Sequence, residues 1–220
     1  MANPSEPTRC WHIVVPVKDT RAGKSRLALP GAVRSRVSRA IADDTLSAVV
    51  ATVGVDRTWL VTSDPGLSRD WAGAGVHVVP DPGGGLNHAI RAGLGSLPDG
   101  WACAVLLGDL PCLTPGDLGA ALEAGERVPE WFVPDQEGSG TVLRGGKAIV
   151  PQFGPDSAAA HAGAGAARLD LDLPRLRRDV DDPVSLAAAV RLGLGPATCA
   201  ALGLVHTDVH ADPGGNRTGA

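Results

Sequence analysis

The sequence predicts an α/β fold: one domain on a doubly wound, mostly parallel sheet of Rossmann type, with a small β-hairpin in its second half. Three observations predict it. Short, solidly apolar runs recur through the first half of the chain. Segments with helical spacing separate them. Strands that alternate with helices in this way are joined by crossovers and therefore run parallel. At 220 residues the chain is long enough for one core, and no internal repeat divides it.

The elements follow in order. His12 to Val17 (HIVVPV), Thr58 to Thr62 (TWLVT), Val76 to Val79 (VHVV) and Ala102 to Leu107 (ACAVLL) read as strands buried on both faces. Between the first two, Ala32 to Val53 carries Val33, Val37, Ile41, Leu46 and Val49 at approximately helical intervals, and Leu86 to Leu97 repeats the pattern. Thr114 followed by Pro115 is a cap and a first-turn proline, opening a helix that runs to Glu126. Trp131 to Pro134, Gly140 to Arg144 and Ala148 to Val150 are short strands broken by glycine pairs, which predicts a hairpin near a sheet edge. The alanine-rich stretch from Asp156 to Arg168 reads as a helix interrupted by Gly163 and Gly165. Pro183 to Leu192 and Pro196 to Leu202 are the closing helices. The expected division is a flexible N-terminus over 1–10, the domain over 11–206 and a polar, aperiodic tail over 207–220.

Composition excludes several classes. A net charge of −4 gives no field that would attract nucleic acid, and 3% aromatics, with no Tyr and two Phe, leave few stacking platforms. The four cysteines lie far apart without a CxxC pair, as expected of reduced thiols in the cytoplasm. The start, MANPSEPTRC, is polar and carries proline, unlike a signal peptide, and no apolar run approaches the ~18 residues of a membrane helix. A soluble cytoplasmic protein is expected, with neither nucleic acid nor membrane as a partner.

Three constellations can carry chemistry. After the first strand come Lys18, Gly23, Lys24, Ser25 and Arg26, cations and backbone amides at the ligand edge of the sheet, suited to a polyphosphate. This is no P-loop, because the position five residues before Gly23 is Lys18 where that motif requires glycine; a solvated basic loop is the alternative. Leu107-Gly108-Asp109-Leu110-Pro111 ends an apolar strand in a carboxylate, where a magnesium ligand belongs, and Gly108 would let a phosphate approach. Asp109 as a helix cap is the competing reading, although Thr114 is the better cap. Asp179-Val180-Asp181-Asp182-Pro183 puts three acids in four residues without a local cation, either a metal site or a surface N-cap cluster. Asp109 and Asp181 together could hold one or two ions.

Weaker signals lie elsewhere. Gly83 to Asn87 opens a helix where Asn87 could bond a base, or is a plain flexible turn. Asp135 to Thr141 and Phe153 to Ser157 supply small donors that an anionic acceptor would need, or are ordinary loops. His77 and His88 find no partners in the sequence and read as structural.

Taken in order, VPVK…GKSRL, GLNHAI, LLGDLP, GSGT, PQFGPDS, DVDDP and LGLGPAT resemble the guanylyltransferases of coenzyme F420 biosynthesis, relatives of the molybdenum-cofactor nucleotidyltransferases. The resemblance runs from about Trp11 to Leu202. It implies a nucleotide-diphospho-sugar-transferase-like fold and transfer of GMP from GTP to phosphoenolpyruvate, with enolpyruvyl-diphospho-guanosine and pyrophosphate as products. The archaeal form takes 2-phospho-L-lactate, and that acid or 3-phosphoglycerate is the alternative acceptor here. Absence of an LxxGxSxRMG-type loop after the first strand argues against sugar phosphates and molybdopterin; a non-catalytic nucleotide-binding regulator is the other class. Laid on this chain, the family pattern gives Lys18, Lys24, Ser25, Arg26 and Gly108 to the GTP phosphates and Asn87 to the nucleoside. Lys24, Arg26 and Asp109 become catalytic, Asp109 and Asp181 become ligands of Mg2+, and Thr141, Gly154 and Ser157 hold the acceptor. A homodimer and the next enzyme of the pathway are the protein partners it suggests. Two departures stand out: Asp182-Pro183-Val184-Ser185 where Thr-Pro-x-Asp is expected, and GSGT where GTGT is usual.

Overall fold

The computed structural model describes residues 10–21 and 23–205; the tail expected from 207, and all of the expected N-terminal arm but Cys10, lie outside them. The first half alternates as the apolar runs require: β1 (Trp11–Val17), α1 (Gly31–Val53), β2 (Thr58–Thr62), α2 (Pro65–Gly73), β3 (His77–Pro80), α3 (Leu86–Leu94) and β4 (Ala102–Leu106). These strands stand in the order β3-β2-β1-β4 and run parallel. The chain thus winds outward from β1 to β3, then crosses back to the other side of β1. The crevice beyond the C-terminal ends of β1 and β4 is the topological switch point, where open sheets of this kind take their ligands.

The second half adds α4 (Pro115–Glu126), β5 (Glu130–Pro134), β6 (Thr141–Gly146), α5 (Ser157–Gly163), β7 (Ala167–Arg168), α6 (Pro174–Arg177), α7 (Pro183–Leu192) and α8 (Pro196–Leu202). The hairpin of β5 and β6 is there, but inside the sheet: β6 lies between β4 and β5, antiparallel to both, and β7 closes that side parallel to β5. Because β6 runs against its neighbours, its first residue, Thr141, arrives at the same edge as the ends of β1 and β4.

Four expectations change. Ala148 to Val150 forms no strand, since the backbone amides of Lys147 and Ala148 donate to the Glu130 carboxylate instead of to a neighbouring strand. The run at Val76 to Val79 is not buried on both faces, because β3 is the outermost strand and exposes His77 and Pro80. The helix expected to reach Leu97 ends at Leu94, capped by Gly95. The Asp156 to Arg168 stretch is helical only to Gly163, and Gly165, at φ 88°, turns the chain into β7.

Sequence sets the helix starts. Proline occupies the first turn of α2, α4, α7 and α8, where its missing N–H is no loss. The main core lies between the sheet and α1, α2 and α4; β1 is buried along its whole length. A second apolar cluster joins Leu27, Val37, Ile41, Val180 and Leu194. It ties the loop after β1 to the acidic segment before α7, two stretches more than 150 residues apart.

Candidate active site

The loop after β1 is held from two sides. Asp64, the N-cap of α2, accepts from the amides of Gly66 and Leu67 and also from the backbone and hydroxyl of Thr20. These bonds hold the Asp64 carboxyl below the ordinary carboxylate range against the opposing effect of burial. At the other end Leu27 is buried in the second cluster. Between these anchors Lys24 takes a left-handed backbone, φ 51° and ψ 44°, as does Ala28 at φ 54°. For residues with a Cβ that conformation stores about 1–3 kcal/mol and is concentrated at functional sites.

The strain turns Lys24 inward. Its Nζ donates to Asp109 Oδ2 and to Asp181 Oδ1, each at 3.1 Å. Burial opposes its charge, but the two carboxylates outweigh that and raise its pKa. Lys18 and Arg26 are exposed and line the same cavity, while Ser25 opens a short 3-10 turn and does not line it.

Two acidic segments meet here because the Val180 amide donates to the Asp109 carbonyl at 3.2 Å. The stretch 179–181 alternates: Val180 points into the second cluster, while Asp179 and Asp181 line the cavity. Carboxylate oxygens of Asp109, Asp179 and Asp181 lie within 4.8 Å of one another. Asp179 is therefore part of the site, although sequence reasoning chose Asp181 alone from this cluster. Burial, then the charges of Asp109 and Asp181, push the Asp179 carboxyl well above the usual range. Asp109 Oδ1 is buried without a hydrogen-bond partner among the described residues. An orphaned carboxylate oxygen with two further carboxylates beside it fits a hard divalent cation, and the Lys24 ammonium now supplies positive charge in the same place.

Asp182 has a separate task. Its carboxylate accepts from the Ser185 amide at 2.8 Å while the Ser185 hydroxyl accepts from the Asp182 amide, a capping box on α7. The departure from Thr-Pro-x-Asp exchanges the hydroxyl and carboxyl residues of that box. The cap survives, and the cavity residues Asp179 and Asp181 precede it.

Across the crevice, Thr141, Gly154 and Ser157 all line the cavity, with Asp135 and Phe153 between them. The turn before Thr141 is closed by Asp135, which accepts from the amides of Ser139 and Gly140, and is pinned to α6 by Arg177 donating to the Asp135 carbonyl. Gly154, at φ 136°, makes the bend that leads into α5. Gly108 also lines the cavity, but packing alone demands it: a Cβ there would sit 2.5 Å from Val17 Cγ2 and 3.1 Å from the Pro16 carbonyl.

Asn87 is engaged differently from the sequence expectation. Its amide donates to the Phe153 carbonyl at 2.9 Å and accepts from the Phe153 amide at 2.8 Å, so both polar ends clamp the 151–156 loop, and it does not line the cavity. Sequence reasoning also passed over His161, which is buried against Thr141. Only the pairing across the fold reveals it.

The cavity has a volume near 580 Å³, enough for a nucleotide and a small acid together. A neighbouring one near 280 Å³ shares Lys18 and Leu86 and carries Asp81. Among the described residues no helix is long and apolar enough to cross a membrane.

Residues 13–180 match the MobA-like NTP transferase domain. The phosphoenolpyruvate guanylyltransferase of Salinispora arenicola is 47% identical over 199 residues, which covers 87% of this chain and 92% of that one. The chain belongs to this guanylyltransferase family. The family member from Sanguibacter keddieii is 42% identical, with 86% and 82% covered. Among solved structures, CMP:2-keto-3-deoxy-manno-octonic acid synthetase with CTP matches at a TM-score of 0.53 and 16% identity, covering 83% of this chain and 97% of that one. Rv0371C of Mycobacterium tuberculosis, solved with manganese, matches at 0.53 and 16%, covering 84% and 100%. These likenesses show a shared nucleotidyltransferase fold. As a member of the guanylyltransferase family, the chain is an enzyme of nucleotidyltransferase type that binds a nucleotide and a small substrate.

Proposed function

We propose that this enzyme transfers GMP from GTP to phosphoenolpyruvate, releasing pyrophosphate and enolpyruvyl-diphospho-guanosine. The observation that carries the reading is one cavity at the switch point that combines cations, the carboxylate cluster of Asp109, Asp179 and Asp181, and small neutral donors, in a chain 47% identical to a relative named for that reaction. An acceptor phosphate oxygen attacks the α-phosphorus in line. The new P–O bond forms as the bond to the bridging oxygen of pyrophosphate breaks, and the electron pair leaves with pyrophosphate. The acceptor phosphate is already ionised near neutrality, so no general base is needed.

Both reactants are polyanions, so the protein's work is neutralisation and alignment. Lys18, Lys24 and Arg26 face the triphosphate. Thr141, Gly154 and Ser157 receive the acceptor. Asp109, Asp179 and Asp181 would hold magnesium, which when bound polarises phosphate oxygens and offsets their charge. The smaller cavity supports GTP as donor, because the Asp81 carboxylate suits the paired N1–H and amine donors of guanine. The reaction would serve coenzyme F420 biosynthesis in the cytoplasm, with a second copy of the chain and the next enzyme of that pathway as protein partners.

Competition at equal concentrations of phosphoenolpyruvate, 2-phospho-L-lactate and 3-phosphoglycerate, with GTP and magnesium, tests the acceptor. Phosphoenolpyruvate should dominate the products separated by mass. Shape alone discriminates by roughly 10- to 200-fold, so minor guanylylation of phospholactate is compatible with the proposal. A different dominant product overturns the acceptor, and bound GTP without any product favours a regulatory protein.

A further inference from the structure

Thr141 begins β6 at the ligand edge, and its hydroxyl is buried rather than solvated. Its oxygen lies 2.9 Å from Nδ1 of His161, on α5, and that ring is also buried. The other ring nitrogen, Nε2, is 3.3 Å from the backbone amide of Gln152. A backbone N–H can only donate, so Nε2 must carry the lone pair. In a neutral ring the hydrogen then sits on Nδ1 and is donated to Thr141 Oγ1. Burial, then the nearby Arg144 guanidinium, lowers the imidazole pKa to about 4, which keeps the ring neutral near pH 7. Phe153 and Phe132 pack edgewise and tilted against the ring, at centroid distances of 5.1 and 5.8 Å, and hold its orientation.

The Thr141 hydroxyl has one hydrogen to give. Its oxygen already accepts from His161, and no protein acceptor for that hydrogen is found among the described residues. The remaining direction is the cavity that Thr141 lines and His161 does not. We propose that His161 is a positioning residue that makes Thr141 an obligate hydrogen-bond donor toward the phosphate or carboxylate of the acceptor. This deepens the guanylyltransferase reading and rests on it. Without the ring, the Thr141 hydroxyl would be free to rotate and present its lone pairs to an anion.

Two measurements test it. Nitrogen-15 NMR of the free wild-type protein reads the His161 tautomer without any turnover. The Nδ1–H form is expected, and an Nε2–H ring overturns the proposal whatever the protein catalyses. The second measurement is kinetic. His161→Leu should raise KM for phosphoenolpyruvate by about 10-fold, the scale of one neutral hydrogen bond, with KM for GTP essentially unchanged. His161→Asn, whose amide can donate from nearly the position of Nδ1, should recover most of that loss. In a Thr141→Val background, His161→Leu should add nothing to the acceptor KM. Additive effects of the two substitutions, or equal shifts in both KM values, overturn the proposal. Should wild type show the expected tautomer but no turnover with phosphoenolpyruvate, the acceptor reading fails. The same variants are then read by binding of the acid that does react.

Discussion

Replacing Lys24 by methionine tests how the acidic cluster is kept together. The ammonium lies 3.1 Å from both Asp109 and Asp181, and the lysine side chain is 12% exposed, against 24% for Asp109 and 58% for Asp181. Breaking a buried pair costs about 3–5 kcal/mol, whereas an exposed pair contributes roughly 0–1 kcal/mol. The Asp109 arm lies nearer the first limit and the Asp181 arm nearer the second, so a loss of about 2 kcal/mol is expected without metal. For a domain of this size that is a fall in Tm of about 4–8 °C. Magnesium should reverse it, because the vacated carboxylates no longer hold a competing cation. The variant should therefore gain more Tm than wild type on going from chelator to saturating magnesium. Turnover should nonetheless drop by roughly 10²-fold, since one oriented charge donor to the phosphates is gone. Thermal melts with and without metal, paired with pyrophosphate release, read all three effects. Equal melting temperatures and equal metal responses for the two proteins would refute the reasoning.

Acid should destabilise the fold through His161: its folded pKa of about 4 lies below the usual 6.5, so stability is fully present above pH 6.5 and is lost as pH falls toward 4. The slope is about 1.4 kcal/mol per pH unit, checked by urea melts at pH 7 and pH 5, and His161→Asn should flatten it. Gly108→Ala should cost about 1–3 kcal/mol by forcing β4 away from β1, with kcat falling as well; unchanged denaturant midpoints would show that the crevice is looser than the packing indicates. Asn87→Leu should release the 151–156 loop, seen as faster amide exchange there and a raised acceptor KM. A raised KM for GTP alone would return Asn87 to the nucleoside.

Signals carried by neighbouring residues were legible in the sequence. The runs of β1, β2 and β4 are buried throughout or nearly so, and the starts of α4, α7 and α8 fall at Pro115, Pro183 and Pro196, where proline needs no partner. What escaped depends on who sits opposite. The apolar run of β3 looks like a central strand, yet among the described residues no strand lies beyond it. Asn87 precedes an apolar helix like a base contact, and only the fold brings Phe153 within reach of both ends of its amide. His161 was passed over because Thr141 and Gln152 meet it from two different segments. Asp179 was hidden by its neighbours: three acids in a row of four do not reveal that Val180 faces inward and Asp182 caps a helix.

The inserted strand explains how one edge can serve two anions. In a sheet of parallel strands only C-terminal ends reach the ligand edge, and each is followed by a loop entering a helix. Reversing β6 brings a strand's start there instead, so Thr141, two residues before Leu143, which pairs with Leu106, stands beside the end of β4. Its turn is fixed by Asp135 and Arg177 rather than by a crossover helix. The loops after β1 and β4 can then serve a polyphosphate and its cation, while β6 and the Gly154 to Ser157 bend serve a second, smaller anion. The cluster of Leu27 with Val180 gives the missing constraint, because it sets the basic loop against the acidic segment independently of the sheet. A site assembled this way tolerates the exchange of Thr-Pro-x-Asp for Asp182-Pro183-Val184-Ser185, since that change falls on the α7 cap and leaves the inward Val180 and the two cavity carboxylates where the cluster holds them.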